Sequence, residues 1–201
     1  MLTQIIAHRG SKGTRPENTL PAFIAAIEDG ADGIETDVHL SRDGQLIIMH
    51  DELVDRTTNG TGRIVDHTLA ELKQLDAGVK YASAYAGTRI PTLDEVVQLL
   101  IQYNFTGIFN LEIKTNKIHY EGIEDLVADY FNHHQVPFTL IYSSFYGKSI
   151  ERLHILQPEV ESDSLFKTKV QTAKRLHAQH IVLGYHCLLY TSDAADDGES
   201  V

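Results

Sequence analysis

Two strand-like segments carry carboxylates at alternate positions. In Gly33–Leu40, GIETDVHL, the residues Glu35, Asp37 and His39 fall on one face, and Ile34, Val38 and Leu40 on the other, interrupted only by Thr36. In Phe109–Lys114, FNLEIK, Asn110, Glu112 and Lys114 oppose Phe109, Leu111 and Ile113. Three carboxylates on two strands with apolar backs point into a shared cleft. Unpaired carboxylates in such a cleft are costly, and a hard divalent cation compensates them. Pairing with Arg or Lys, or exposure at a sheet edge, is the plainer explanation of either motif alone. The two together favour a metal site of Glu35, Asp37 and Glu112.

Histidines end two other strand-like segments. His8-Arg9 closes the first, just before Gly10, and His50-Asp51 closes LIIMHD, Leu46–Asp51. Eleven histidines weaken the case for any single one. Two at equivalent strand ends, beside the carboxylates, suit proton transfer near neutral pH. Arg9 and Lys114 then suit a phosphate, one as a fork and the other as a point charge.

These groups need a scaffold that gathers strand ends. Short apolar strands alternate with helical stretches, the pattern of a parallel α/β fold. The first strand is expected near Gln4–Arg9. A helix capped by Thr19, with Pro21 in its first turn, stops at Gly30. Further helices are expected at TLDEVVQLLIQY behind Thr92, near Gly122–His133, at KSIERLHIL and at VQTAKRLHA. Further strands are expected at FTLIYSSF, near Asp163–Phe166 and within HIVLGYH. Residues 52–89, rich in Thr, Gly and Ala with one helical piece at HTLAELKQL, read as an insertion. In a (β/α) barrel the C-terminal strand ends form the active-site face.

The bulk numbers narrow the function. The chain has 201 residues, consistent with one domain. Its 28 acidic and 17 basic residues give a net charge of −11, which argues against nucleic acid or an anionic membrane as a partner. Cys187 is the single cysteine, so no internal disulfide forms. With no leader pattern and no integral membrane segment expected, the reading is a cytoplasmic protein. The last fourteen residues, Leu188–Val201, depart from the pattern and read as a non-native tail behind a domain of residues 1–187.

AHRG, RPENT, IETDVHLSRDG, MHD, RTTNGTG, IPTLDEV, LEIK and SSF occur in that order. In this the chain resembles the glycerophosphodiester phosphodiesterases, over about Gln4–Phe166 and more weakly to about His186. The resemblance implies a TIM-type (β/α) barrel with a small insertion after strand 3. It implies hydrolysis of a small-molecule glycerophosphodiester to sn-glycerol 3-phosphate and an alcohol. His8 and His50 would be the acid/base pair, and Glu35, Asp37 and Glu112 the ligands of Ca2+ or Mg2+. Arg9 and Lys114 would hold the phosphate, with Glu17 and Asn18 supporting the site. Whether the glycerol 2-hydroxyl or a water attacks phosphorus is left open, as is the oligomeric state. The family's Trp-containing block after the sixth strand and its closing T-D-x-P-like block are missing, so the last one or two strands are expected to be lacking. Two rivals follow: a related phospholipase-type phosphodiesterase, and a non-catalytic fragment that binds phosphate at most.

Overall fold

The computed structural model describes residues 4–164 and 180–181, with side chains described through residue 162. Its sheet is built on β2 (Gly33–Leu40), which is buried along nearly its whole length. One edge of β2 pairs in parallel with β4 (Ile108–Ile113), from Gly33↔Ile108 to Val38↔Ile113. The parallel arc continues through β5 (Thr139–Ser144), β6 (Glu161–Ser164) and β7 (His180–Ile181). On the other edge, β1 (Ile6–His8) pairs in parallel with Gly33 to Glu35. The expected helix VQTAKRLHA and the tail lie outside the described residues.

The third strand corrects the sequence reading. β3 (Leu46–Ile48) is no barrel strand; it folds back antiparallel on β2, through Leu40↔Leu46 and Val38↔Ile48. A tight turn makes this possible. Ser41 N donates to the Gln45 carbonyl, and the Ser41 hydroxyl accepts from Gln45 N. Gly44 supplies a φ of 76°. Val38 pairs with Ile113 and with Ile48, and Ile34 pairs with Phe109 and with Ala7. β1 and β3 therefore share the edge of β2 that faces away from β4, and they run head to head.

Six parallel strands are thus described, against eight in a complete TIM-type barrel. Helices cover their outer face: α1 (Leu20–Glu28), α3 (Leu93–Gln102), α4 (Ile123–His133) and α5 (Gly147–Leu156). Helix α3 shows why. Thr92 and Glu95 form a reciprocal capping box, and Leu93, Val96, Val97 and Leu100 recur at helical spacing and are buried. Each such side chain contributes roughly 1.5–3 kcal/mol of burial. They pack on Ile34, Val38, Phe109, Leu111 and Ile113, the apolar strand faces read from the sequence. Thr19 stands at the N-cap of α1 as expected, but its hydroxyl donates to the Pro16 carbonyl at 2.5 Å rather than accepting from the helix.

The insertion between β3 and α3 is irregular apart from two 3-10 turns and the four-residue helix α2 (Leu69–Leu72). It has a small core of its own: Ile47, Met49, Val54, Ile64, Leu72, Ala77 and Ile90. Ile47 and Met49 come from the β3 segment, so this core anchors the residues that lead into His50.

Candidate active site

The head-to-head arrangement sets the site. β1 ends at His8, opposite Glu35, and β3 delivers Met49, whose amide donates to the Asp37 carbonyl. His50 follows at once. Both histidines therefore reach the same mouth, although one arrives on a parallel strand and the other on an antiparallel one. His8 Nε2 lies 3.6 Å from Glu35 Oε2. Burial, with help from Arg9, lowers His8 to a pKa of about 4.

Beyond His8 the chain makes a left-handed turn, with φ 59° at Arg9 and 74° at Gly10. A Cβ on Gly10 would stand 2.7 Å from the Ala22 carbonyl carbon, so only glycine fits against α1. The turn buries the Arg9 side chain. Its amide donates to both Glu35 O and Glu35 Oε2, at 3.0 Å each. Its guanidinium lies 3.4 Å from Glu17 Oε1 and 3.8 Å from Asp37 Oδ2.

Glu35, Asp37 and Glu112 form one buried cluster, with one oxygen from each lying within 4.8 Å of the others. Strand register dictates this: Asp37 is the direct partner of Glu112, and Glu35 stands two residues earlier on the same face. Lys114, one residue past β4, reaches back to Glu112 Oε1 at 2.9 Å and Asp37 Oδ1 at 3.5 Å. Glu35 is pushed well above the usual carboxylate range by burial and by the charges of Asp37 and Glu112. Burial also lifts Glu112, outweighing Lys114. For Asp37 burial loses: Lys114, His50, Arg9 and an Asn18 hydrogen bond hold it well below its ordinary value.

The cluster fits a hard cation. Three buried carboxylates face two cations, Arg9 and Lys114, and Arg9 also serves Glu17. Asp37 Oδ1 accepts no hydrogen bond among the described residues, while its Oδ2 takes the Asn18 amide at 2.8 Å. An oxygen-only set of this kind suits Ca2+ or Mg2+.

A family model for the glycerophosphoryl diester phosphodiesterases matches residues 8–198. The chain belongs to this family. It is 44% identical over 167 residues to a glycerophosphodiester phosphodiesterase from Caldanaerobacter subterraneus subsp. tengcongensis, covering 83% of this chain and 68% of that one. It is 42% identical over 160 residues to a protein of the same name from Bacillus altitudinis, covering 80% and 65%. The chain thus spans about two thirds of the length of these relatives. Among solved structures, an Oleispira antarctica phosphodiesterase in complex with the product sn-glycerol-3-phosphate superposes with a TM-score of 0.80 at 35% identity, over 90% of this chain and 74% of that one.

The fold draws the seven sequence-predicted residues to one end of the sheet. His8, Arg9, Glu35, Asp37, Glu112 and Lys114 are joined by the distances given above. His50 joins through the β3 return, close enough to bear electrostatically on both His8 and Asp37. Asn18, expected beside the site, bonds into it: at φ 52° it donates to Asp37 Oδ2 and accepts from the Thr36 hydroxyl at 2.7 Å. Thr36, the interruption in an apolar face, was the visible signal for that bond.

Three supporting groups escaped sequence reasoning. Buried His39 lies 3.0 Å from the His50 carbonyl through Nε2 and 2.8 Å from the Tyr120 hydroxyl through Nδ1. The carbonyl can only accept, so Nε2 carries the proton and Nδ1 accepts from Tyr120. Burial lowers His39 to a pKa of about 4, which keeps it neutral. Asp51 Oδ1 lies 2.7 Å from His50 Nδ1, and Arg56 of the insertion binds Asp51 in turn. The sequence offered the adjacency of His50 and Asp51 and placed Arg56 at the head of RTTNGTG, without a role for it. Among the described residues no helix is long and apolar enough to cross a membrane.

Proposed function

We propose that this chain hydrolyses glycerophosphodiesters to sn-glycerol 3-phosphate and an alcohol. In this reading Glu35, Asp37 and Glu112 hold one Ca2+ or Mg2+ ion. His8 and His50 move protons, and Arg9 and Lys114 bind the phosphate. The carrying observation is the meeting of β1 and β3 on one edge of β2, which brings two imidazoles beside three buried carboxylates.

The ion, when bound, supplies positive charge for the phosphoryl oxygens as their negative charge grows. The chain's own residues do the rest. Arg9, fixed by the left-handed turn and by Glu17, presents a buried guanidinium beside Asp37. Lys114 adds a second cation from the end of β4. One imidazole takes the proton of the glycerol 2-hydroxyl as its oxygen attacks phosphorus. The other gives a proton to the departing alcohol oxygen. The cyclic phosphate so formed is opened by water with the two roles exchanged, which regenerates both histidines.

The test is direct. Glycerophosphocholine is incubated with the chain, and sn-glycerol 3-phosphate is measured with and without added Ca2+ or Mg2+. Turnover is expected to need the ion and to fall about 10²–10⁴-fold in His8→Ala or His50→Ala. Undiminished turnover in both variants, or turnover indifferent to exhaustive chelation, removes the corresponding role.

A further inference from the structure

One guanidinium of the insertion holds two carboxylates at once. Arg56 donates to Asp51 from Nε at 2.6 Å and from Nη2 at 3.2 Å. It also donates to Glu17 from Nη1 at 2.9 Å and from Nη2 at 2.6 Å. Asp51 carries His50 at 2.7 Å, and Glu17 carries Arg9 at 3.4 Å. Arg56 is therefore the middle of a continuous chain, Arg9–Glu17–Arg56–Asp51–His50.

The carrier of Arg56 is rigid. Val54 is buried in the insertion core, and buried Thr58 returns both its amide and its hydroxyl to the Val54 carbonyl, at 3.1 and 2.7 Å. Arg56 rides on the turn between them. Its own side chain is about half exposed, where isolated ion pairs stabilise a fold little. A doubly forked arginine there fixes geometry more than it adds stability.

The geometry points to Arg56 as the positioning residue of His50. It pins the Asp51 carboxylate, which accepts from Nδ1–H and so leaves Nε2 as the proton-exchanging atom of His50. The insertion thereby completes the acid/base pair. This rests on the proposed role of His50, and the test separates the two ideas.

The full chain is compared with Arg56→Ala, Arg56→Lys and His50→Ala. The readouts are the histidine ring 15N signals, thermal midpoint, and kcat and KM for glycerophosphocholine. In the unaltered chain, neutral His50 is expected as the Nδ1–H tautomer. Arg56→Ala is expected to mix the tautomers and lower kcat about 10–100-fold, the usual cost of losing such a support, with KM and the midpoint little changed. Arg56→Lys restores only part of kcat, because an ammonium cannot fork to two carboxylates. Unchanged His50 signals in Arg56→Ala overturn the proposal. Full turnover in His50→Ala sinks the acid/base reading instead, and the ring signals still judge Arg56. Should Arg56→Ala fail to fold, Arg56→Lys, Glu17→Gln and their combination decide: strongly non-additive losses support the chain, and additive losses overturn it.

Discussion

Asn18 Nδ2 donates a 2.8 Å hydrogen bond to Asp37 Oδ2 from a backbone held at φ 52°. The left-handed residue and the central carboxylate are thus one unit. Asn18→Gly keeps the backbone at ease and removes the bond; Asn18→Ala removes the bond and adds strain. Both are expected to weaken Ca2+ binding about 10–100-fold by calorimetry. Only the alanine variant loses a further roughly 1–2 kcal/mol of stability in urea. Equal unfolding midpoints would detach the strain from Asn18.

His39 joins β2 to Tyr120 and to the backbone of His50. His39→Phe keeps the bulk but strands a buried hydroxyl and a carbonyl. The expected loss is about 1–3 kcal/mol in chemical denaturation, from the unpaired groups. A companion Tyr120→Phe change should recover part of it. If the double variant is no better than the single one, the hydroxyl was not the cause.

Asp51 sets an acid limb. Burial opposes its ionisation, but hydrogen bonds from His50 and Arg56 hold its carboxyl well below the usual range. A depressed folded pKa contributes stability above the unfolded value, about 3.9, and loses it as pH falls through the folded pKa. Asp51→Asn is therefore expected to be less stable at pH 6, by about 1 kcal/mol for a partly exposed network. The two stability curves should converge as pH drops below 4. Parallel curves down to pH 2 contradict this.

Cation binding is expected to raise the thermal midpoint. An ion that binds only the folded chain adds about 2.7 kcal/mol at a hundredfold excess over its Kd. Glu112→Gln should abolish most of that gain with Ca2+ or Mg2+. Equal gains in both proteins would place the ion elsewhere.

Much of this site was legible before any coordinates. The alternation in GIETDVHL and FNLEIK separated the core face from the charged face, because strand geometry allows nothing else. The carboxylate cluster followed from it. Composition does not set the direction of β3, since Leu46–Ile48 reads the same parallel or antiparallel; the five-residue spacing from Leu40, too short for a crossover, does. The pairing of Arg56 was illegible for another reason. Its partners lie 5 and 39 residues away, and side-chain pairing across an irregular insertion leaves no period to read.

The surface turn at Ser41–Gln45 acts as a ruler. Its length sets which residue of β3 faces Val38, and hence how far His50 stops from His8. A slip of one residue would turn its neighbours to the opposite face, and a slip of two would move the imidazole by roughly 7 Å along the strand. A turn exposed at residues 42–45, and touching no reacting group, is therefore intolerant of insertion or deletion, and any engineering of this scaffold must keep its five-residue length.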